Sequence, residues 1–240
     1  MMKIDIHTHV LPRIDDGAKD WDVCLEMLRR SSERGVQAVI ATPHYIPWKQ
    51  TSSPERIEEL CLEAKKKLLE KHGITMDIYC GNEIYYTIDA IRDLREGKIL
   101  TLAKSRYILV EFGFQASFQT IRRAVKDFVE AGYIPIIAHM ERYECLRNLA
   151  KLQEIKEMGA FLQVNAESVR GGLFQAEKRW AKRCLKQELV DFFASDMHDL
   201  STRTPIREKE LQWILKKMKA EYQEDLLYSN AWRIIDSIEV

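Results

Sequence analysis

Five of the six histidines in this chain stand at or just after the ends of short apolar runs, and several acids occupy similar places. His7 and His9 end the run "KIDIHTH", and the acidic pair Asp15 and Asp16 follows in the next loop. Imidazole and carboxylate groups together are donors that suit manganese, iron and zinc. The candidate ligands are His7, His9, Asp16, His44, Glu83, Glu111, His139, Asp196 and His198. These residue types predict a metal site.

The number of donors indicates more than one ion. Taken singly, His44 has an ordinary interpretation as a histidine bonded to backbone, and Glu111 as a buried acid paired with an arginine. Together, five imidazoles and four carboxylates exceed the needs of one tetrahedral zinc and suit two or three ions that share carboxylates. Burying so many ionisable groups would cost several kcal/mol for each unpaired charge, unless cations compensate.

The elements that must position these residues alternate between short strands and longer helices. The strand-like runs are "KIDIHTH", "AVIATPH", "MDIYCGNE", "YILVEF", "IPIIAH", "AFLQVNA" and "VDFFASDMH". The helical patterns between them include "WDVCLEMLRRSSERG", "SPERIEELCLEAKKKLLEKHG", "SFQTIRRAVKDFVEAG" and "CLRNLAKLQEIKEMG". Seven βα units with nearly continuous apolar strands predict an α/β fold with a parallel sheet covered by helices, namely a distorted TIM-like (β/α)7 barrel.

In such a barrel the carboxyl ends of the strands meet at one mouth, where the chemistry is placed. Side chains two apart on a strand share a face, so His7 with His9, and Asp196 with His198, are expected to point there as pairs. We expect residues 1–240 to form a single domain, with the stretch from Ile206 to Val240 as one or two packing helices. Glycine-rich phosphate loops of nucleotide-binding folds are missing from the sequence.

Composition narrows the class of protein. The 37 basic and 37 acidic residues cancel, so no overall field favours nucleic acid as a partner. No secretory signal or apolar run long enough to span a membrane is present, which predicts a cytoplasmic protein without membrane insertion. The five scattered cysteines indicate neither a disulfide framework nor a CxxC zinc site. Cys24 and Arg30 have the spacing of a cysteine-phosphatase loop, but their surroundings are typical of a helix interior.

The motifs resemble a known superfamily. "DIHTHVLPRIDDGAKD", "ATPHY", "GNEIYY", "ILVEF", "GYIPIIAHMERY" and "ASDMHDLSTR" are similar to motifs of the polymerase-and-histidinol-phosphatase (PHP) superfamily. More narrowly, they resemble the bacterial manganese-dependent protein-tyrosine phosphatases associated with capsule and exopolysaccharide synthesis. The resemblance runs from about Met2 to Arg203, and "LPRIDDGAK" with "AHMERY" favours this branch over histidinol phosphatases.

The resemblance implies the PHP barrel with a trinuclear site. One metal would be held by His7, His9, Glu83 and Asp196, a second by Glu83, Glu111 and His139, and a third by Asp16, His44 and His198. Arg142 and Arg203 match arginines that the family uses for phosphate, and their planar guanidinium groups suit that role. Met140 stands where proline is expected and Asp199 where asparagine is common. Asp15 is expected to contact solvent or to support a ligand.

The implied reaction is hydrolysis of phosphotyrosine on a protein, such as a capsule tyrosine kinase, by attack of a metal-bound hydroxide. Two or three divalent ions are expected, Mn²⁺ first and Fe or Zn as alternatives, with no covalent cysteine intermediate. The alternatives are a small-molecule phosphomonoesterase of the histidinol-phosphatase kind and a PHP-type nuclease. A non-catalytic metal-binding regulatory module ranks last, because every expected ligand is present.

Overall fold

The computed structural model describes residues 2–49, 52–171 and 175–237. Nine strands lie within these residues: β1 Lys3–Thr8, β2 Val36–Ala41, β3 His44–Tyr45, β4 Asp77–Cys80, β5 Glu83–Tyr85, β6 Tyr107–Glu111, β7 Ile134–Ile137, β8 Phe161–Asn165 and β9 Phe192–Ala194. The helices of the same part of the chain are α1 Trp21–Glu33, α2 Pro54–His72, α3 Ala90–Arg95, α4 Phe118–Glu130, α5 Leu149–Glu157, α6 Ala176–Lys186, α7 Glu208–Lys217, α8 Ala220–Glu224 and α9 Asn230–Asp236.

All of the strand pairs are parallel, in the orders β1-β2-β4 and β3-β5-β6-β7-β8-β9. Strands β2 and β3 are two parts of one path, and so are β4 and β5. Backbone bonds from Gly81 N to Ala41 O and from Glu83 N to Pro43 O keep these two paths together across their breaks. After β9, Asp196 N donates to His7 O, so the last strand returns to the first. The sheet therefore curls into the expected distorted TIM-like barrel.

Local sequence sets where the helices begin and end. Asp20, Ser53, Ser117 and Asn148 accept backbone N–H groups in the first turns of α1, α2, α4 and α5, which satisfies donors that a helix leaves free. Pro54 occupies the first turn of α2, where its missing N–H costs nothing. Gly73 ends α2 at a φ of 67°, a left-handed conformation that glycine adopts without steric cost.

The core has an outer and an inner layer. Strand residues such as Val39 and Val110 pack outward against the helices. Alternate residues, such as Ile40 and Leu109, pack against one another inside the sheet. Ile234 of α9 joins this inner layer beside Ile4, at the amino end of β1, so α9 closes the end of the barrel opposite the strand carboxyl ends. Packed apolar side chains thus fill the barrel interior below the mouth.

The structure corrects the predicted elements in three places. The runs "AVIATPH" and "MDIYCGNE" are each divided into two strands, because Thr42–Pro43 and Gly81–Asn82 interrupt the strand pairing. Helix α3, which the sequence patterns did not predict, follows β5. The described part of the Ile206–Val240 stretch forms three α-helices, with a π-helical segment Asp225–Ser229 before α9, instead of one or two helices; residues 238–240 lie outside the described residues.

Candidate metal centre

The end of β1 presents two histidines to the mouth because its register shifts. Asp5 pairs with Val39 and Thr8 with Ala41, so β1 advances three residues while β2 advances two. Such an extra residue is a bulge, and it turns a side chain that strict alternation would direct to the other face. His7 and His9 are fully buried, and their Nε2 atoms lie 3.2 Å apart. The expected pair of histidines therefore exists, and the bulge sets the face of the strand to which the pair points.

A tight turn brings the next acids back over His9. Ala18 N donates to His9 O, and a Cβ on Gly17 would lie 2.1 Å from that same oxygen, so the turn needs glycine. Asp15 Oδ2 lies 2.7 Å from His9 Nδ1, which fixes the ring and leaves His9 Nε2 for the mouth. The Asp15 side chain is thus buried against His9 and does not face solvent.

Glu83, at the start of β5, is the centre of the cluster. Its Oε2 atom lies 3.2 Å from Nε2 of both His7 and His9. Asp196 Oδ1 lies 3.4 Å from His7 Nε2 and 3.6 Å from His9 Nε2. These four buried residues form one compact group of potential ligand atoms, the same four that the family resemblance assigns to one ion.

A second compact group surrounds Asp16. Its Oδ1 atom lies 3.4 Å from Nε2 of His44 and 3.4 Å from Nε2 of His198. His198 Nδ1 donates to the Asp196 backbone carbonyl, so Nε2 is the nitrogen left for a metal. His9 also belongs to this group.

The third group joins Glu83 and Glu111. His44 Nδ1 lies 3.1 Å from Glu83 Oε2 and 3.0 Å from Glu111 Oε1. His139 Nε2 lies 2.8 Å from Glu83 Oε1 and 3.9 Å from Glu111 Oε2. The compact three-atom group contains His44, whereas the resemblance gives His139 to this ion and His44 to the one beside Asp16. His44 therefore has one ring nitrogen toward each group.

Several buried polar atoms in the cluster are available to bind a cation. Glu83 Oε2, His44 Nδ1 and His198 Nε2 are buried and lack a hydrogen-bond partner in the described residues. Unsatisfied buried polar atoms are costly and uncommon in folded proteins. Divalent ions at these three groups would give each orphaned atom a bond, and the nitrogen and oxygen donors suit such ions.

The protonation of the cluster follows from burial and neighbouring charge. Burial lowers the pKa of His9, but the Asp15 carboxylate outweighs it and raises that pKa to about 9. Burial opposes the charge of Glu83, yet the surrounding histidines, His7 foremost, hold the pKa of Glu83 well below its ordinary value. Burial and the nearby His9 lower the pKa of His198. The protein thus holds Glu83 ionised and His198 neutral, the forms that bind metal.

Two of the candidate ligands have strained backbones. His139 has a φ of 33° and Asp196 has a φ of 52°, backbone angles that residues other than glycine rarely adopt. Such conformations cluster at functional sites, where the surrounding structure maintains them. Met140, in place of the expected proline, directly follows His139 and is fully buried in the core.

Arg142 and Arg203 each contact a different acid of the cluster. Arg142 donates to Asp196 Oδ2 at 3.0 Å and Arg203 to Asp16 Oδ2 at 2.9 Å. Asp199, which replaces the expected asparagine, accepts backbone N–H groups of the loop that leads to Arg203. Each guanidinium has several N–H donors, so contact with one acid leaves others for a phosphate.

The sequence analysis missed a polar pair on β8. Gln163 Oε1 lies 3.1 Å from His7 Nδ1 and accepts His139 N at 2.7 Å. Asn165 receives a bond from Gln163 and donates to Asp196 Oδ2 at 2.7 Å. These residues orient three candidate ligands. Two polar residues at alternate positions in "AFLQVNA" were the available signal, because an interior strand of a barrel is otherwise apolar.

Residues 3–236 match the protein family described as "Capsular polysaccharide synthesis, CpsB/CapC". The chain belongs to this family. It is 34% identical over 238 residues to the tyrosine-protein phosphatase CpsB of Streptococcus pneumoniae, covering 97% of this chain and 98% of that protein.

Solved structures agree with the family and the fold. One, described as belonging to YwqE from Bacillus subtilis and CpsB from Streptococcus pneumoniae, "unique metal-dependent tyrosine phosphatases", has a TM-score of 0.89 and 32% identity, covering 99% of this chain and 96% of that one. The phosphotriesterase homology protein of Escherichia coli has a TM-score of 0.63 at 11% identity over 98% of both chains, which shows a shared fold alone.

The fold and the family agree with the PHP-like barrel expected from the motifs. None of the helices in the described residues is long and apolar enough to cross a membrane. Cys24 and Arg30 both lie inside α1, which excludes the phosphate-loop interpretation of their spacing.

Proposed function

We propose that this protein is a metal-dependent tyrosine phosphatase that hydrolyses phosphotyrosine on proteins. The observation that carries the proposal is the convergence of Glu83 with His7, His9 and His44, which leaves a buried carboxylate oxygen without a hydrogen-bond partner. The similarity to tyrosine-protein phosphatases over nearly the whole chain supports the substrate class.

We assign the ions to the three groups of ligand atoms. His7, His9, Glu83 and Asp196 would hold one, and Asp16, His44 and His198 another. Glu83 and Glu111 would hold a third together with His139, with His44 as the alternative nitrogen. Divalent ions held by these residues would lower the pKa of a bound water to about 7 and would neutralise charge on a phosphoryl group. Manganese is the proposed resident metal, with iron and zinc as alternatives.

The protein's own side chains bind and orient the substrate. Arg142 contacts Asp196 and Arg203 contacts Asp16, so we assign their guanidinium groups to different oxygens of one phosphate, where they would stabilise the charge that develops. Asp15, Gln163 and Asn165 hold the ligand side chains in place. The hydroxyl of the tyrosine leaving group has a pKa of about 10. Departure of the tyrosine phenolate therefore depends less on a general acid than departure of an alkoxide does.

The proposed substrate is a phosphorylated tyrosine kinase of capsule or exopolysaccharide synthesis. The family description supports a role in capsular polysaccharide synthesis, and the tyrosine-phosphatase relatives support a phosphotyrosine protein as the partner. We propose a cytoplasmic site of action, and nucleic acid is not a proposed partner.

A substrate panel tests the proposal. Phosphate release is measured from a phosphotyrosine peptide and from histidinol phosphate, and strand cleavage is measured by electrophoresis of single-stranded DNA, each with the manganese-loaded protein. We expect the peptide to have the highest kcat/KM. A higher kcat/KM for histidinol phosphate, or cleavage of DNA alone, would assign the site to one of the alternative substrate classes. The variant His139→Ala should lose turnover while keeping the fold, as measured by circular dichroism.

A further inference from the structure

An exposed group of aromatic side chains lies at the edge of the barrel mouth. Trp48 is 64% exposed and Phe114 is 71% exposed, and Tyr85 is half-buried between their loops. The Trp48 and Tyr85 rings meet edge to face, with centroids 4.9 Å apart and an interplanar angle of 83°. These three residues, Trp48, Tyr85 and Phe114, are called the aromatic ledge below.

Tyr85 contacts both of the segments that carry the exposed rings. A Cβ built on Gly113 would lie 2.9 Å from the Tyr85 hydroxyl, so this hydroxyl rests against the backbone beside Phe114. Tyr85 therefore touches the Trp48 ring and the segment that carries Phe114. Gly113 leaves room for the Tyr85 hydroxyl, because any other residue would place a Cβ in this space.

Strand geometry places the ledge directly beyond the candidate ligands. Tyr85 is two residues after Glu83 on β5, so both side chains point to the same face of the strand. Two strand residues span about 7 Å, which sets Tyr85 one step farther out than the Glu83 carboxylate. Strands β3 and β6 flank β5. Trp48 lies in the segment after β3, which carries His44, and Phe114 lies in the segment after β6, which carries Glu111.

Other exposed apolar side chains have a different distribution. Leu62, Leu69, Val129, Leu215 and Trp232 lie on helices α2, α4, α7 and α9. Met2 precedes β1, and Ile88 lies in the loop after β5. Single exposed apolar residues of that kind are normal in folded proteins and need no ligand. An aromatic group beside a cluster of buried ionisable residues, with the Trp48 and Tyr85 rings in contact, is different, because it presents apolar surface to a molecule that enters the mouth.

We infer that the aromatic ledge binds the phenyl ring of the phosphotyrosine substrate, and that it selects aryl over alkyl phosphates; this rests on the function proposed above. When the phosphate of phosphotyrosine lies at the ligand cluster, its phenyl ring is joined to phosphorus through a single oxygen. The ring would therefore extend outward in the mouth, toward Tyr85. The ring can then pack against Trp48, as aromatic pairs do in stacked or edge-to-face contacts. Phosphoserine has only a methylene at this height and gains no such contact.

The test compares Trp48→Ala with Trp232→Ala in the manganese-loaded protein. Trp232 is a matched control, because it is also exposed and also contacts a tyrosine, Tyr228, but it lies on α9 at the opposite end of the barrel. KM and kcat are measured with a phosphotyrosine peptide, together with the inhibition constant of inorganic phosphate. Inorganic phosphate probes the ligand cluster and arginines without using the ledge.

We expect Trp48→Ala to raise KM for the peptide roughly tenfold, with kcat and phosphate inhibition unchanged. Trp48→Phe should keep a KM near that of the wild type, and Trp232→Ala should change nothing. Phe114→Ala, a second truncation of an exposed side chain, should raise KM in the same direction as Trp48→Ala.

Wild-type KM values in both Trp48→Ala and Phe114→Ala would contradict the binding of the substrate ring by the aromatic ledge, but would not contradict the proposed phosphatase function. Equal effects of Trp48→Ala and Trp232→Ala on KM would also contradict this binding by the ledge. A wild-type protein that hydrolyses histidinol phosphate but no phosphotyrosine peptide would instead contradict the proposed function, and with it the role of the ledge.

Discussion

Asp15 Oδ2 lies 2.7 Å from His9 Nδ1, and both side chains are buried beneath the turn that carries Asp16. The contact fixes which His9 nitrogen faces Glu83 and Asp196. Carboxylates that bond to ligand histidines in this way orient the ring and increase its basicity. Asp15 therefore supports one proposed ion, while its neighbour Asp16 faces another.

Replacing Asp15 with Asn should weaken metal binding by about 10- to 100-fold, because the amide loses the charge that orients and activates His9. Isothermal titration of Mn²⁺ into the metal-free protein measures the change. Asp22→Asn is the matched control, since Asp22 is exposed on α1 and pairs with Lys71 away from the mouth. An unchanged affinity in Asp15→Asn would show that the contact is not part of the metal site.

Metal affinity should rise with pH. The pKa of His9 in the metal-free protein is raised to about 9, so at pH 7 this ring holds a proton that a metal must displace. One competing proton lowers the apparent affinity up to about tenfold for each pH unit below 9. Titrations of Mn²⁺ at pH 6, 7 and 8 measure this dependence. Equal affinities at the three pH values would contradict a protonated His9 in the metal-free site.

Arg142→Lys should reduce kcat/KM for a phosphotyrosine peptide by about 100-fold. Lysine keeps the positive charge near Asp196 but lacks the planar donors that bind two phosphate oxygens. Arg122→Lys serves as the control, because Arg122 is an exposed partner of Glu154 on the outer helices. Wild-type kinetics in Arg142→Lys would remove Arg142 from phosphate binding.

Cys24→Ala should keep phosphatase activity. Cys24 is buried within α1, and burial raises the pKa of its thiol to about 12, so almost no thiolate forms at neutral pH. Phosphate release by the variant, compared with the wild type at equal concentration of folded protein, measures the effect. Complete loss of activity in a folded Cys24→Ala protein would favour a cysteine nucleophile.

Local sequence patterns largely predict where the candidate site lies in the fold. Residues such as Glu111 and Asp196 lie at strand ends, and parallel strands bring their carboxyl ends to one mouth. This rule needs only the strand runs and not their packing. The assignment of particular ligands to particular ions remains a prediction.

Features that depend on tertiary contacts were beyond the sequence patterns. The bulge that turns His7 inward arises from pairing between β1 and β2, which no local pattern specifies. The bonds from Gln163 to His7 and His139 join three strands that are distant in sequence. Asp15 and Asp16 have the same side chain, and only the Gly17 turn over His9 gives them different partners.

The most direct measurement is phosphate release from a phosphotyrosine peptide by the wild-type protein before chelation, after removal of the chelated metal, and after addition of Mn²⁺. We expect activity to disappear with the metal and to return with Mn²⁺, while circular dichroism shows that the barrel stays folded. Undiminished hydrolysis by the metal-free protein would contradict metal-dependent tyrosine phosphatase activity at this site.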